Sequence, residues 1–285
     1  MKPFFGIDVT ESKTNEKMEA CRFVATSARE ENIAAFERAS DDTTEVFKKA
    51  LLPLPFRILH GALWLLTLLC VYAFLRVAAE LGFATVFHGA WWLLLAFAVL
   101  LAGAIICSVI SKKKSNEVLE SHEARHAFVS LDQALDLIYN DLDVPEGAVD
   151  TEILSFHFKM KNGEPVFRAK GISSAYMNLS VKIFVKDDAL CFADEKHRYD
   201  IPLSALRAIH TVNKRIEIFS WDKDVEHNEE PYKQYKIRED DEGNIFIKPY
   251  HILEVALEDG LYGIYFPCYE LPLFEEITSL KAKDK

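Results

Sequence analysis

Two apolar runs without a single Asp, Glu, Lys or Arg, Ile58–Leu75 and Gly89–Ile110, constrain this chain more than any other feature. A helix rises about 1.5 Å per residue, so roughly 20 apolar residues cross the hydrocarbon core of a bilayer. A helical hairpin buried in a soluble core normally keeps a polar stripe. These runs keep none, so the pattern predicts a two-helix transmembrane hairpin over residues 57–111.

The flanks are ordinary soluble sequence. The 285 residues are 50% hydrophobic and 27% charged, and mean hydropathy is only +0.01, an average of a very apolar hairpin and polar surroundings. A net charge of −11 argues against a nucleic-acid partner, which needs a basic face. The cysteines (Cys21, Cys70, Cys107, Cys191, Cys268) are scattered and form no CxxC pair. Neither a disulfide framework nor a cysteine zinc site is indicated, which fits a reducing compartment.

Basic residues orient the hairpin. Lys48, Lys49 and Arg57 precede the first run and Lys112, Lys113 and Lys114 follow the second, whereas the connection carries only Arg76 as a fixed positive charge. The positive-inside rule then places both termini in the cytoplasm, with two spans in the plasma membrane. Trp91 and Trp92 sit where an interfacial aromatic belt belongs; Trp64 does not. Met1 to Ala50 is polar and charged, so the first span is expected to serve as its own insertion signal.

Residues 1–56 read as a small cytoplasmic lead-in. FFGIDVT and CRFVATS have strand-like composition and flank the polar stretch ESKTNEKMEA. Two strands alone are marginal in water, so this hairpin must lean on another part of the protein. Ser27 to Lys49 turns helical, with a restart expected at Asp41–Phe47 through an Asp or Thr cap, and Pro53 and Pro55 break it. Residues 112–145 read as a juxtamembrane amphipathic helix, Ser115 to Asp141, running directly off the second span.

That helix contains His122-Glu123-Ala124-Arg125-His126, a literal HExxH. Histidines four apart on a helix share a face and can bind Zn²⁺, with the intervening glutamate as general base on a bound water. His122, His126 and Glu123 therefore define an alternative reading as a membrane-associated zinc metallohydrolase. Zincins surround the motif with apolar residues; Glu120 and Arg125 stand there instead. The third ligand has only loosely placed candidates in Asp141, Asp143, Glu146 and Glu152. The plainer reading is a solvated helix face with Glu–Arg pairs, and no cofactor.

Residues 146–285 change character to short strands with turn chemistry at Asn162-Gly163, Asp241–Asn244 and Asp259-Gly260. Alternation is clear in Ser180–Lys186 and Lys214–Phe219, so these strands bury one face. No ten-residue helical pattern interrupts them, which disfavours a parallel βαβ sheet. Tyr269 to Leu280 closes the chain as an amphipathic helix presenting Leu271, Phe274, Ile277 and Leu280. The class is α+β: a helical hairpin plus a C-terminal antiparallel β domain.

Many short strands closed by one amphipathic helix is the layout of pleckstrin-homology-like (PH-like) domains. Ala189 to Trp221, ALCFADEKHRYDIPLSALRAIHTVNKRIEIFSW, resembles the bacterial PH-like and GRAM-type pattern, in which a strand ends in I-P-L-s-x-I/L and another follows. With two membrane helices in front, the organisation resembles the YcxB-like proteins of bacteria. The resemblance implies a non-enzymatic integral membrane protein presenting a PH-like domain for lipid or partner binding, as scaffold, sensor or adaptor. Lipid-binding members carry basic residues around the first hairpin, which here implies Lys159, Lys161, Arg168 and Lys170 beside Asn162-Gly163. Such a cluster gains on the order of 1 kcal/mol per charge from anionic lipid. Membrane lipids contact the hairpin itself, and a protein partner or a second copy of the chain is a further expectation, with Gly61 and Gly103 as places for close helix approach. A transporter or channel subunit fits less well, because the spans hold no acidic or basic residue beyond His60.

Overall fold

The computed structural model describes residues 2–8, 18–20, 26–82, 89, 91–167, 176–219, 232–235, 237–239 and 244–284. The chain divides into two compact units, Ala34–Leu135 and Met1–Ile33 with Asp136–Lys285. The first is helical; the second is built on a sheet.

Helix α1 (Glu30–Ala50) is continuous, with Glu30 and Glu31 in its first turn and Lys48 and Lys49 in its last, the charge order its dipole favours. The expected restart at Asp41–Phe47 does not occur. Thr43 bonds its Oγ1 to the Ala39 carbonyl at 2.9 Å instead of capping a new helix, and sits buried beside Phe36, Ala39 and Val46. Pro53 and Pro55 act as anticipated: α1 stops before them and helix α2 (Leu54–Leu81) takes Pro55 into its first turn, where a missing N–H costs nothing.

Helices α2 and α3 (Trp91–Leu119) extend beyond the apolar runs at 28 and 29 residues, roughly 42 Å each. They pack antiparallel, since Leu63 lies against Gly103 while His60 reaches Ser108. Small residues fill the seam: Ala104 is fully buried, and Thr67 and Ala78 nearly so. A methyl added at Gly103 would make ordinary contact with Leu63, and Gly61 has open space around it. Only 6% and 11% of the most apolar stretches of the two helices are buried. Both are long, apolar and mostly exposed, which is compatible with two membrane spans.

The juxtamembrane helix does not run directly off α3. Ser121 interrupts it: its Oγ accepts the Ala124 N–H at 3.1 Å and so caps a new helix, α4 (His122–Asp141). Within the helical unit Ala124 and Ala127 of α4 bury against Val46 of α1, with Phe47 edge-on to Phe128 at 5.8 Å.

Sixteen strands among the described residues form one sheet. In chain order they are β1 (Lys2–Pro3), β2 (Phe5–Asp8), β3 (Met18–Ala20), β4 (Thr26–Ser27), β5 (Val149–Lys161), β6 (Glu164–Phe167), β7 (Tyr176–Lys186) and β8 (Ala189–Ala193). There follow β9 (His197–Pro202), β10 (Leu206–Val212), β11 (Ile216–Phe219), β12 (Arg238–Glu239), β13 (Asn244–Ile247), β14 (Tyr250–Leu257), β15 (Gly260–Pro267) and β16 (Ala282–Asp284). The main path is β12-β13-β11-β7-β5-β15-β14-β10-β16.

Pairing is largely antiparallel, with parallel exceptions at β1/β15, β2/β5, β7/β11 and β10/β16. Turn chemistry is as anticipated at Asn162-Gly163 (φ 55° and 79°), and Asp187-Asp188 makes the same kind of turn (φ 49° and 59°). A 3₁₀ turn at Tyr232–Tyr235 precedes the two-residue β12.

The lead-in is divided. Its strands join the C-terminal sheet: β1 runs beside β15, β2 beside β5, and β4 pairs β9. The strand returning to β2 is β3, at the end of the stretch expected as a polar turn; of CRFVATS only Thr26 and Ser27 are described. Phe4 and Phe5 explain the docking. Both are essentially buried, with Phe5 edge-on to Phe192 at 5.5 Å and Tyr199 at 5.4 Å.

Alternation sends neighbours to two cores. Leu253 and Val255 join Phe266 and Phe274 in one, while Tyr250 and Ile252 join Ile218, Ile245 and Tyr269 in the other. Helix α5 (Leu271–Thr278) closes the first core, its Phe274 ring stacked on Phe266 at 3.9 Å and 3°. The chain does not end in that helix. Ser279 turns it through a left-handed conformation (φ 56°), and β16 then pairs β10.

Candidate functional site: a cationic cleft backed by buried carboxylates

Of the residues singled out in the sequence for binding or metal ligation, those described lie on α4, just after it, and on strand β5. Lys159 and Lys161 are exposed on the β5–β6 hairpin, where Lys159 stands opposite Val166 and Lys161 opposite Glu164. Arg168 and Lys170 lie outside the described residues. His122 and His126 are exposed on α4, His126 beside Ser130 at 3.3 Å, and Glu123 is bound by Lys49 at 2.6 Å. Of the third-ligand candidates, Asp141 accepts hydrogen bonds from Arg29 and Asn32, Asp143 pairs with Lys186, and Glu152 accepts from Tyr269. Among the described residues no three His, Cys, Asp or Glu side chains gather as a metal site.

A different cluster is built by β11, β12 and β13. Ile216 and Ile218 turn inward from β11, and Ile245 and Ile247 from β13, all packing into the second core. Alternation then puts Arg215 and Glu217 outward. Registry brings Glu217 and Arg238 to either side of Phe246, the outward residue of β13. The Arg215 guanidinium lies 5.0 Å over the Phe246 ring, a cation–π contact that holds it in place.

These residues border an open cleft of about 680 Å³, completed by Gln234, Tyr235 and Lys248. An adjoining hollow of about 500 Å³ shares Arg215, Arg238 and Phe246 and adds Glu217. Among the described residues, Arg215, Arg238 and Lys248 have no carboxylate within ion-pair distance. The described lining of the cleft is mainly cationic, a donor set suited to an anion.

Behind its Tyr235 wall lies a buried polar cluster. The Tyr235 ring is 6.3 Å from that of Tyr269, and Tyr232 meets Tyr269 edge-on at 5.0 Å. Tyr269 donates its hydroxyl to Glu152, while Glu270 accepts the Glu152 N–H at 3.1 Å and the Thr151 hydroxyl at 3.0 Å. Burial, with the nearby Glu152 charge, pushes the Glu270 carboxyl up to about 7 against the pull of those donors. The Tyr269 phenol is driven well above its ordinary value by burial and by Glu152. Glu152 and Tyr269 are only 7% and 8% exposed, so their mutual bond is shielded from solvent, whereas Glu270 is half-buried.

Sequence reading missed the cleft because its cations come from three separated segments. The signal present was local: YKQYKIR interleaves aromatic and basic residues, and KRIEIF alternates. No family model, curated protein or solved structure matches the chain.

Proposed function

We propose that this chain is a non-enzymatic integral membrane protein. Its two apolar helices cross the plasma membrane with both termini in the cytoplasm, and its sheet unit serves there as a PH-like binding module for a lipid or protein partner. One observation carries the reading: two charge-free helical stretches with 6% and 11% of their residues buried, an exposure that water penalises and hydrocarbon does not. Roughly 25 cal/mol favours each Å² of apolar surface removed from water, so helices of this length are strongly drawn into lipid.

The PH-like reading is supported by the antiparallel meander from β7 to β9 and by α5 closing one core through Phe274. The parallel β1 and β2 and the strand after α5 depart from that pattern. Against the hydrolase alternative stand the engagement of Glu123 by Lys49 and the bonds made by three of the third-ligand candidates, Asp141, Asp143 and Glu152.

Alkaline carbonate extraction of membranes containing the full chain tests the anchorage, and protease digestion from the cytoplasmic face tests the orientation. Retention in the pellet with both termini cleaved is expected. Release into the supernatant, or termini protected from cytoplasmic protease, overturns the reading. Stoichiometric zinc lost in His122→Ala/His126→Ala would restore the hydrolase alternative.

A further inference from the structure

We propose that the cleft between β11, β12 and β13 binds a small phosphate-bearing anion, with Arg215, Arg238 and Lys248 holding the phosphate; this rests on reading the sheet unit as a binding module.

Charge comes first. Among the described residues, three cations line one cleft and Glu217 is the carboxylate at its edge, a balance of two positive charges over those four side chains. A single carboxylate ligand cancels one of them; a phosphate monoester carries about −1.5 to −2 at neutral pH and matches the balance. Guanidinium geometry points the same way, because two Arg forks make paired N–H bonds to phosphate oxygens. Arg215 is held over Phe246, so less side-chain freedom is lost when it grips an anion.

Size allows a ligand larger than a bare ion. The cleft of about 680 Å³ falls in the range of small-molecule sites and leaves room for a body attached to the phosphate. Tyr235 offers that body an aromatic wall, and Gln234 and Glu217 offer hydrogen-bonding groups suited to hydroxyls. The chemistry is that of a phosphorylated polyol, which is shared by a glycerophospholipid headgroup and by a free sugar or glycerol phosphate.

The test is calorimetric titration of the full chain in a neutral detergent. The probes are inorganic phosphate, glycerol 1-phosphate, and dihexanoyl phosphatidic acid below its micellar concentration. Saturable binding of an organic phosphate is expected, weakened about tenfold for each of Arg215→Gln and Arg238→Gln. Lys159→Gln/Lys161→Gln removes twice the charge of either single arginine variant, from an exposed hairpin, and is expected to leave affinity within about twofold. Binding of the phosphatidic acid alone assigns a lipid headgroup; equal binding of glycerol 1-phosphate assigns a soluble ligand. The site is refuted by no saturable binding of any probe, or by affinity that drops equally in the Lys159/Lys161 control. Near-ultraviolet dichroism confirms that the exposed substitutions leave the fold intact. Carbonate extraction reads the anchorage separately, so an anchored chain that binds none of the probes overturns the site alone.

Discussion

The Glu270 carboxylate accepts the Glu152 backbone N–H at 3.1 Å, in a cluster whose burial pushes the Glu270 carboxyl up to about 7. The consequence for stability has a definite sign. The folded carboxyl titrates at about 7 and its ordinary value is 4.5, so between those values the native state binds more protons than the unfolded chain. Stability from this group is full at the acid end and falls as pH rises through the window, by on the order of 3 kcal/mol. Glu270→Gln keeps an acceptor for the Glu152 N–H and cannot ionise. Its stability relative to wild type is expected to climb from pH 4.5 to 7 in denaturant titrations; parallel curves would show that Glu270 ionises freely in the fold.

His251 supplies an opposite slope. Burial pushes its ring down to about 4, although Glu275 pulls it up, and it packs on Phe266 with Thr211 at 3.3 Å. Below its unfolded value of 6.5 the unfolded chain takes up the proton first, so stability is lost as pH falls from 6.5 towards 4. The two groups offset each other between pH 4.5 and 6.5. His251→Gln is expected to expose the Glu270 slope, with stability highest at the acid end of that window. A variant that still loses stability on acidification there contradicts a buried neutral histidine.

Phe274 holds α5 to the sheet. It is fully buried and stacked on Phe266, and it leaves a large cavity when truncated. Phe274→Ala is expected to cost about 3–5 kcal/mol, read as a lower denaturation midpoint with unchanged slope. A loss near zero would mean that α5 packs without it.

Within the apolar hairpin, His60 Nε2 lies 2.8 Å from Ser108 Oγ and 3.0 Å from Trp64 Nε1. Indole N–H only donates, so His60 Nε2 is the acceptor of the Trp64 bond. A double-mutant cycle of His60→Ala and Ser108→Ala, read by unfolding in dodecyl sulfate, is expected to give a coupling of about 0.6 kcal/mol. Zero coupling would place the two side chains apart.

Helices were the legible part. The charge-free runs of α2 and α3, the Pro53/Pro55 break and the amphipathic pattern of α5 are local signals, each acting over a few turns. Strand existence and turns were legible too, because alternation and Asn-Gly chemistry are properties of adjacent residues. Helix junctions were less so: Thr43 and Ser121 carry similar hydroxyls, yet one bonds back into α1 and the other caps α4.

What tertiary structure alone decided is pairing. Nothing local to Phe4 and Phe5 states that β1 will lie beside β15 and β2 beside β5, and nothing local to Ala282 states that β16 will follow β10. The same holds for the cleft. Arg215, Arg238 and Lys248 lie on three segments, and two of them share a face only because Ile216, Ile218, Ile245 and Ile247 bury the opposite one in a fixed register. Sequence by itself determined which residues avoid water and which turns close. The partner of each strand follows from burying all those apolar faces at once, a condition that belongs to the whole chain.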